Sequence, residues 1–182
     1  MWGRRKSTDD APFRREALAH VDALHDFARY LTGTDSDSDD LVQEAYARAF
    51  AASDQYQPES NLKAWLFRIL RNVFIDGHRR DAKGPIAPLS IDDVDDSALA
   101  STAHTAFDGD DVTSADLETA MLALPETSRT VILLDLQGFE EDEAAAVLGC
   151  APGTIKSRLF RARAALRELL KDYAPIRRLH GL

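Results

Sequence analysis

The sequence predicts an all-α protein of two small helical domains joined by an acidic flexible linker, the second domain containing a helix-turn-helix. Three observations predict it. Apolar residues recur at helical spacing in two blocks, residues 14–81 and 114–172. Between the blocks, residues 82–113 lose that period and carry seven Asp against one Lys. Residues 140–170 then hold a short apolar helix, a glycine, a tight turn and a long basic helix. No strand-like alternation of useful length and no internal repeat competes with this reading.

Taken in order, residues 1–13 are polar, carry Gly3 and Pro12, and read as a flexible N-terminal tail. Leu18, Val21, Leu24, Ala28 and Leu31 form a first apolar stripe that ends at Gly33, where a helix C-terminus is expected. The run Asp35 to Asp40 offers N-cap candidates and places acids where a helix dipole favours them, ahead of Leu41, Val42, Ala45, Tyr46, Ala49 and Phe50. After a break around Pro58, Leu62, Leu66, Ile69 and Val73 define a third helix reaching Gly77 or slightly beyond. Past the linker, Ser114 opens a segment with Leu117, Met121 and Leu124. Pro125 stands where a further helix begins before Val131, Ile132 and Leu134. Short helices continue to about Asp172, leaving residues 173–182 as a C-terminal tail.

The 22 Lys and Arg against 31 Asp and Glu give 182 residues a net charge of −9, which on average argues against a nucleic-acid partner. The distribution reverses that argument. Residues 153–182 hold eight Lys or Arg and two acids, and residues 63–80 hold five Lys or Arg and one Asp, so two basic stripes lie in periodic segments. The single Cys150 excludes an internal disulfide framework or a multi-Cys metal site; it points to a reducing compartment and reads as a small apolar residue at the turn. No apolar run reaches the roughly 18 residues of a membrane span, and no hydrophobic segment follows Arg4-Arg5, so a cytoplasmic protein is expected. His20, His25, His78, His104 and His180 are the acid–base candidates, but no phosphate loop, nucleophile elbow or metal-ligand spacing accompanies them. The reading is therefore not an enzyme, with no metal and no cofactor.

The sharpest pattern is Ala144, Ala145 and Leu148, then Gly149, then Cys150-Ala-Pro-Gly153, then the basic helix. On that helix Ile155, Leu159, Ala162, Leu166 and Leu169 make a buried stripe. At about 100° per residue, Ser157 and Arg161 fall nearly opposite it, with Lys156 and Phe160 on one flank and Arg158 on the other, all expected to face outward. Arg and Lys beyond a tight turn suit base edges and phosphates in a major groove. The simpler alternative is a solvated basic face, against which the turn and the uncovered Phe160 both count. On the third helix Arg68, Asn72 and Arg79 fall within about 40° of one another and form one polar rail, with Trp65 at its border with the core. Basic and aromatic residues interleaved on one helix fit capture of single-stranded nucleic acid, although Trp65 also reads as packing and Asp76 as a partner of Arg79 or Arg80.

The segments Asp40-Leu-Val-Gln-Glu-Ala-Tyr46, Ala64-Trp-Leu-Phe-Arg-Ile69 with Asn72 and Asp76, Leu124-Pro-Glu126 and Gly153-Thr-Ile-Lys-Ser-Arg-Leu-Phe-Arg-Ala-Arg163 resemble the extracytoplasmic-function (group 4) sigma factors of the sigma-70 family. The resemblance runs over roughly residues 14–172 and implies a two-domain factor that recruits bacterial RNA polymerase core enzyme to promoter DNA. It implies that Asp40, Gln43 and Glu44 meet the polymerase. Trp65, Arg68, Asn72, Arg79 and Arg80, with the loop before their helix, would take the melted −10 strand. Thr154, Lys156, Ser157, Arg158, Phe160 and Arg161 would read the −35 duplex. An anti-sigma factor is an implied partner. The acidic run Glu140 to Glu143 and the tail with Arg177, Arg178 and His180 depart from the family's usual pattern. The alternative is a one-component helix-turn-helix regulator acting without polymerase core.

Overall fold

The computed structural model describes residues 11–81 and 113–178, with side chains over 11–78 and 113–171. Among the described residues every regular element is helical. The order is α1 (Ala11–Leu18), α2 (Val21–Thr32), α3 (Asp35–Ala51), a 3-10 turn (Ser53–Gln55), α4 (Leu62–Asp81), α5 (Ser114–Ala123), α6 (Glu126–Leu136), α7 (Glu141–Leu148) and α8 (Pro152–Arg178). The chain divides into two compact units, the first carrying α1 to α4 and the second carrying α5, α6, α8 and the start of α7.

In the first unit α2, α3 and α4 pack on one another and α1 packs on α4. Leu24, Phe27, Leu31, Leu41, Val42, Ala45, Leu66, Phe67 and Leu70 are buried. The Phe27 and Phe67 rings lie 4.9 Å apart, and burying two such side chains contributes about 1.5–3 kcal/mol each. The first apolar stripe is not one helix. It breaks at Ala19-His20, leaving Leu18 50% exposed and Val21 at the surface, because Leu18 belongs to α1 and the core-facing register starts again in α2. Ala11 to Phe13, assigned to the expected tail, form the first turn of α1, and residues 1–10 lie outside the described residues. Gly33 ends α2 at φ +78°, donating its N–H to the Arg29 carbonyl at 2.8 Å, a left-handed closure that suits glycine.

The cap of α3 is Thr34 rather than an aspartate of the run that follows. Its hydroxyl oxygen accepts the Asp37 N–H at 3.2 Å, and Asp35 and Asp37 lie inside the first turn, where the dipole favours them. Asn61 caps α4, its Oδ1 accepting the Ala64 N–H at 3.1 Å, and α4 extends to Asp81.

In the second unit α5 and α6 both pack on α8. A reciprocal Thr113–Asp116 capping box opens α5. Met121, Leu124, Val131, Leu134, Ile155, Ala162 and Leu170 are buried, while Leu117, in the first turn of α5, lies at the surface instead of in the expected stripe. Arg129 on α6 donates through Nη2 to the Leu122 and Leu124 carbonyls, each at 2.9 Å, satisfying the C-terminal end of α5. Burial holds the Arg129 pKa below its ordinary value. The last helix continues past Asp172 to Arg178, so most of the expected C-terminal tail is helical. The expected linker lies outside the described residues except for Thr113.

Candidate nucleic-acid interface

The helix-turn-helix forms where the glycine and proline demand it. Gly149 takes φ +69°, and the Cys150 N–H donates to the Ala145 carbonyl at 3.1 Å, closing α7. Pro152 then opens α8, where its missing N–H costs no hydrogen bond. Lys156, Ser157 and Phe160 are exposed, Phe160 by 66%; Thr154 and Arg161 are half-exposed. Ser157 Oγ donates to the Thr154 carbonyl at 3.0 Å, and Arg161 Nε donates to the Ser157 carbonyl at 3.3 Å, laying the guanidinium along the helix. Lys156, Ser157, Phe160 and Arg161, together with Glu141, Arg163 and Arg167, edge an open concavity of about 870 Å³. Lys156, Arg161, Arg163 and Arg167 bring four cations and Glu141 one carboxylate to that hollow. Arg163 is itself paired with Asp135 of α6.

Arg158 corrects the expected face. It is only 9% exposed, not outward. Its position lies about 60° from the centre of the buried stripe, near enough for its aliphatic stem to be covered by packed neighbours. Cys150 is a free, half-buried thiol at the turn.

On α4 the expected rail is present in part. Arg68, Asn72 and Asp76, four residues apart, are all exposed; the side chains of Arg79 and Arg80 lie outside the described residues. Asp76 pairs with Arg48 of α3, Nη1 to Oδ2 at 2.9 Å; its expected pairing with Arg79 or Arg80 lies outside the described side chains. Trp65 is half-buried, its ring 5.5 Å from Tyr56 and 6.1 Å from Phe13, so it packs inside an aromatic cluster. Phe13 also meets Tyr56 at 5.5 Å and Phe50 at 6.3 Å, and Arg14 lies over the Phe50 ring at 4.9 Å. The loop between α3 and α4 closes on itself. Tyr56 donates its hydroxyl to the Ser60 carbonyl at 2.8 Å, and Ser60 N–H and Oγ both donate to the Gln57 carbonyl, at 2.8 and 2.7 Å. Burial, then the nearby Glu16, raises the Tyr56 pKa.

On α3, Asp40, Gln43 and Glu44 are exposed and share one face at helical spacing. Arg48 Nε donates to Glu44 Oε1 at 2.8 Å, and its bonds to Asp76 and Glu44 raise its pKa further. His25 of α2 reaches Asp39 at 2.6 Å. Tyr46 of the same helix is buried and donates its hydroxyl to the Ala17 carbonyl at 2.8 Å, with its pKa pushed up to about 12 by burial and then by Asp22. Burial, followed by Lys63, lowers the His20 pKa. Among the described residues no group of His, Cys, Asp and Glu is arranged to hold a metal ion.

The fold and these faces define a two-module helical nucleic-acid-binding protein. The sigma-70 region 2 family matches residues 17–84, and the sigma-70 region 4 family matches residues 114–166. The ECF RNA polymerase sigma factor EcfG of Rhodopseudomonas palustris is 41% identical over 174 residues, spanning 89% of this chain and 90% of its own. Among solved structures, the sigma factor RpoE of Bartonella quintana, in complex with the anti-sigma factor NepR, superposes with a TM-score of 0.68 at 38% identity. That match covers 88% of this chain and 97% of that one. CnrH, an RNA polymerase sigma factor of Cupriavidus metallidurans solved with the cytosolic domain of CnrY, gives 0.63 at 27% identity over 90% of each chain. The chain belongs to the extracytoplasmic-function sigma factors of the sigma-70 family, which direct transcription with RNA polymerase. Both sigma regions, present in order, disfavour the alternative of a regulator that works without polymerase core.

Proposed function

We propose that the three exposed faces divide the work of initiation. Asp40, Gln43 and Glu44 on α3 dock on core polymerase, where an acidic and amide patch steers association. Arg68 and Asn72 on α4, beside the closed loop of residues 56–60, hold the melted −10 strand, with Arg79 and Arg80 extending that rail. Thr154, Lys156, Ser157, Phe160 and Arg161 on α8 read the −35 duplex, and Arg158 is a packing residue beneath them. Residues 14–81 and 114–172 are the two functional domains, and the acidic segment 82–113 joins them. The factor acts in the cytoplasm, carries out no chemistry of its own and is held in check by an anti-sigma factor. The complexes of RpoE with NepR and of CnrH with CnrY support that last partner. Among the described residues no helix is long and apolar enough to cross a membrane.

The observation that carries this reading is the exposed Lys156, Ser157 and Phe160 beyond a glycine-closed turn. Asn72→Ala tests the division of labour. Its amide offers both donor and acceptor to an unpaired base, so its loss should impair strand opening and relax preference at one −10 position. Duplex binding through α8 should persist. Permanganate reactivity of promoter thymines in complexes with core enzyme, compared with binding to a pre-melted template, separates the two steps. Normal opening with full base preference in the variant would sink the assignment of Asn72.

A further inference from the structure

The hollow of the second unit is longer than the set of residues expected to read bases. Its wall follows α8 from Gly153 through Lys156, Ser157 and Phe160 to Arg163 and Arg167, and Glu141, at the start of α7, stands on it as well. Phe160 and Arg167 are seven residues apart, so they lie within about 20° of one another around the helix and about 10 Å apart along it. They share one face. Arg167 is exposed, and its helical neighbours at three and four residues are Arg163, Ala164, Leu170 and Lys171, none of them a carboxylate. The adjacent Glu168 is taken by Lys171 at 2.8 Å. Among the described residues neither Arg167 nor Glu141 has a hydrogen bond or an ion pair, whereas Arg163 is paired with Asp135.

We infer that this hollow seats the phosphate backbone of the promoter duplex beside the −35 element, with Arg167 as its anchoring cation and Glu141 as a carboxylate that opposes it. The inference rests on the proposed reading of the −35 duplex by α8. Length divides the helix into two zones. Thr154 to Arg161 occupy about 10 Å of α8, which a major groove about 12 Å wide accommodates. Arg167 stands about 9 Å beyond Arg161, past the bases and at the sugar-phosphate ridge that borders the groove. In helix-turn-helix docking the first helix crosses that same backbone, and here the first helix brings Glu141 to the hollow. A phosphate contact carries affinity without sequence preference, so the two opposite charges must act on every duplex alike and with opposite signs.

The test uses the full chain bound to core polymerase and a labelled duplex that carries the −35 element and ends short of the −10 element. The same duplex with that element scrambled runs beside it, each titrated over a series of NaCl concentrations. Arg167→Gln should weaken binding to both duplexes by about three- to tenfold at low salt. It should also lower the slope of log affinity against log salt by about one, as the loss of one phosphate contact requires. Arg167→Lys, which keeps the charge, should retain most of the affinity and the slope. Glu141→Gln should tighten binding to both duplexes by about two- to threefold at low salt, a gain that fades as salt rises. An unaffected Arg167→Gln variant, an equal loss in Arg167→Lys, a loss confined to the natural −35 element, or a Glu141→Gln variant that binds no tighter would each overturn the inference. Should the natural chain with core show no preference for the natural element over the scrambled one, the proposed reading by α8 falls and this inference with it. If that preference persists while Arg167→Gln binds normally, only the backbone seat is lost.

Discussion

Arg158 and Arg161, one turn apart on α8, should behave as opposites when each is changed to alanine. Arg158 is 9% exposed, so truncation strips a buried aliphatic stem from the packing. Buried changes of this kind cost about 1–3 kcal/mol. In a unit of this size each kcal/mol moves the unfolding midpoint by about 4–8 °C, so Arg158→Ala should melt visibly earlier. Arg161 is half-exposed, with its Nε donating to the Ser157 carbonyl of its own helix. Its loss should leave the midpoint within about 2 °C, yet cost about 1–3 kcal/mol of specific binding if its guanidinium pairs with a guanine edge. The assay is calorimetric unfolding of each full-length variant, beside competition of natural and scrambled −35 duplexes for the holoenzyme. An Arg158→Ala variant that melts normally while losing −35 discrimination would refute this reasoning and return Arg158 to the DNA face.

Charge reversal at Asp40 and Glu44 should lower affinity for core enzyme in a salt-dependent way while shifting stability by less than about 1 kcal/mol, since both groups are exposed; undiminished co-purification with core would count against the docking face. The Tyr46 phenol keeps its proton in the fold to about pH 12, whereas in the unfolded chain it ionises near 10.0. The folded state therefore binds more protons between those values, and stability should fall as pH rises through that window. Tyr46→Phe should lose about 0.5–1.5 kcal/mol at neutral pH and show a flatter decline above about pH 10, read from urea midpoints; equal alkaline slopes would exclude Tyr46 as the source. Phe13→Ala should loosen the Tyr56–Trp65 pair, shift tryptophan emission to longer wavelength and weaken −10 strand capture while sparing −35 duplex binding; unchanged emission would show that α1 does not brace the loop.

Much of the architecture is legible because local signals and tertiary packing agree. The three- and four-residue stripes locate α2, α3, α4 and α6, and Gly33, Gly149, Pro125 and Pro152 mark ends and starts through backbone preferences that no tertiary contact needs to supply. The break at Ala19-His20 is silent because neither residue is a breaker and Leu18 to Val21 keeps a helical spacing across it. Pro12 reads as a tail signal, but in the first turn of a helix it is tolerated, and Phe13 then finds its aromatic partners from α3, α4 and the loop between them. In the candidate interface, projection on a helical wheel suffices for Lys156, Ser157 and Phe160, which lie far from the stripe. It fails for Arg158, at the margin where the breadth of the covering neighbours decides burial. The Arg48–Asp76 pair joins positions 28 residues apart, and only the packing of α3 on α4 brings them together. The Glu44–Arg48 spacing was the one local hint that Arg48 had a partner at all.

α8 is at once a strut of its unit and the bearer of the outward basic face. Ile155, Ala162 and Leu170 anchor it, while Ser157 and Phe160 project from the same continuous rod of 27 residues. Its face is therefore indexed to its anchors by count. A single residue inserted between Arg161 and Ala162 would turn Phe160 by about 100° relative to Ala162 and Leu170, so that Ile155 and those later anchors could no longer be buried on one face. Deletions would act in the opposite sense. On the proposed reading of α8, change along this helix is thus free in letter but not in length: its outer positions can be rewritten to suit new promoters, whereas a frame of one residue gained or lost would scramble the reader without altering a single contact residue.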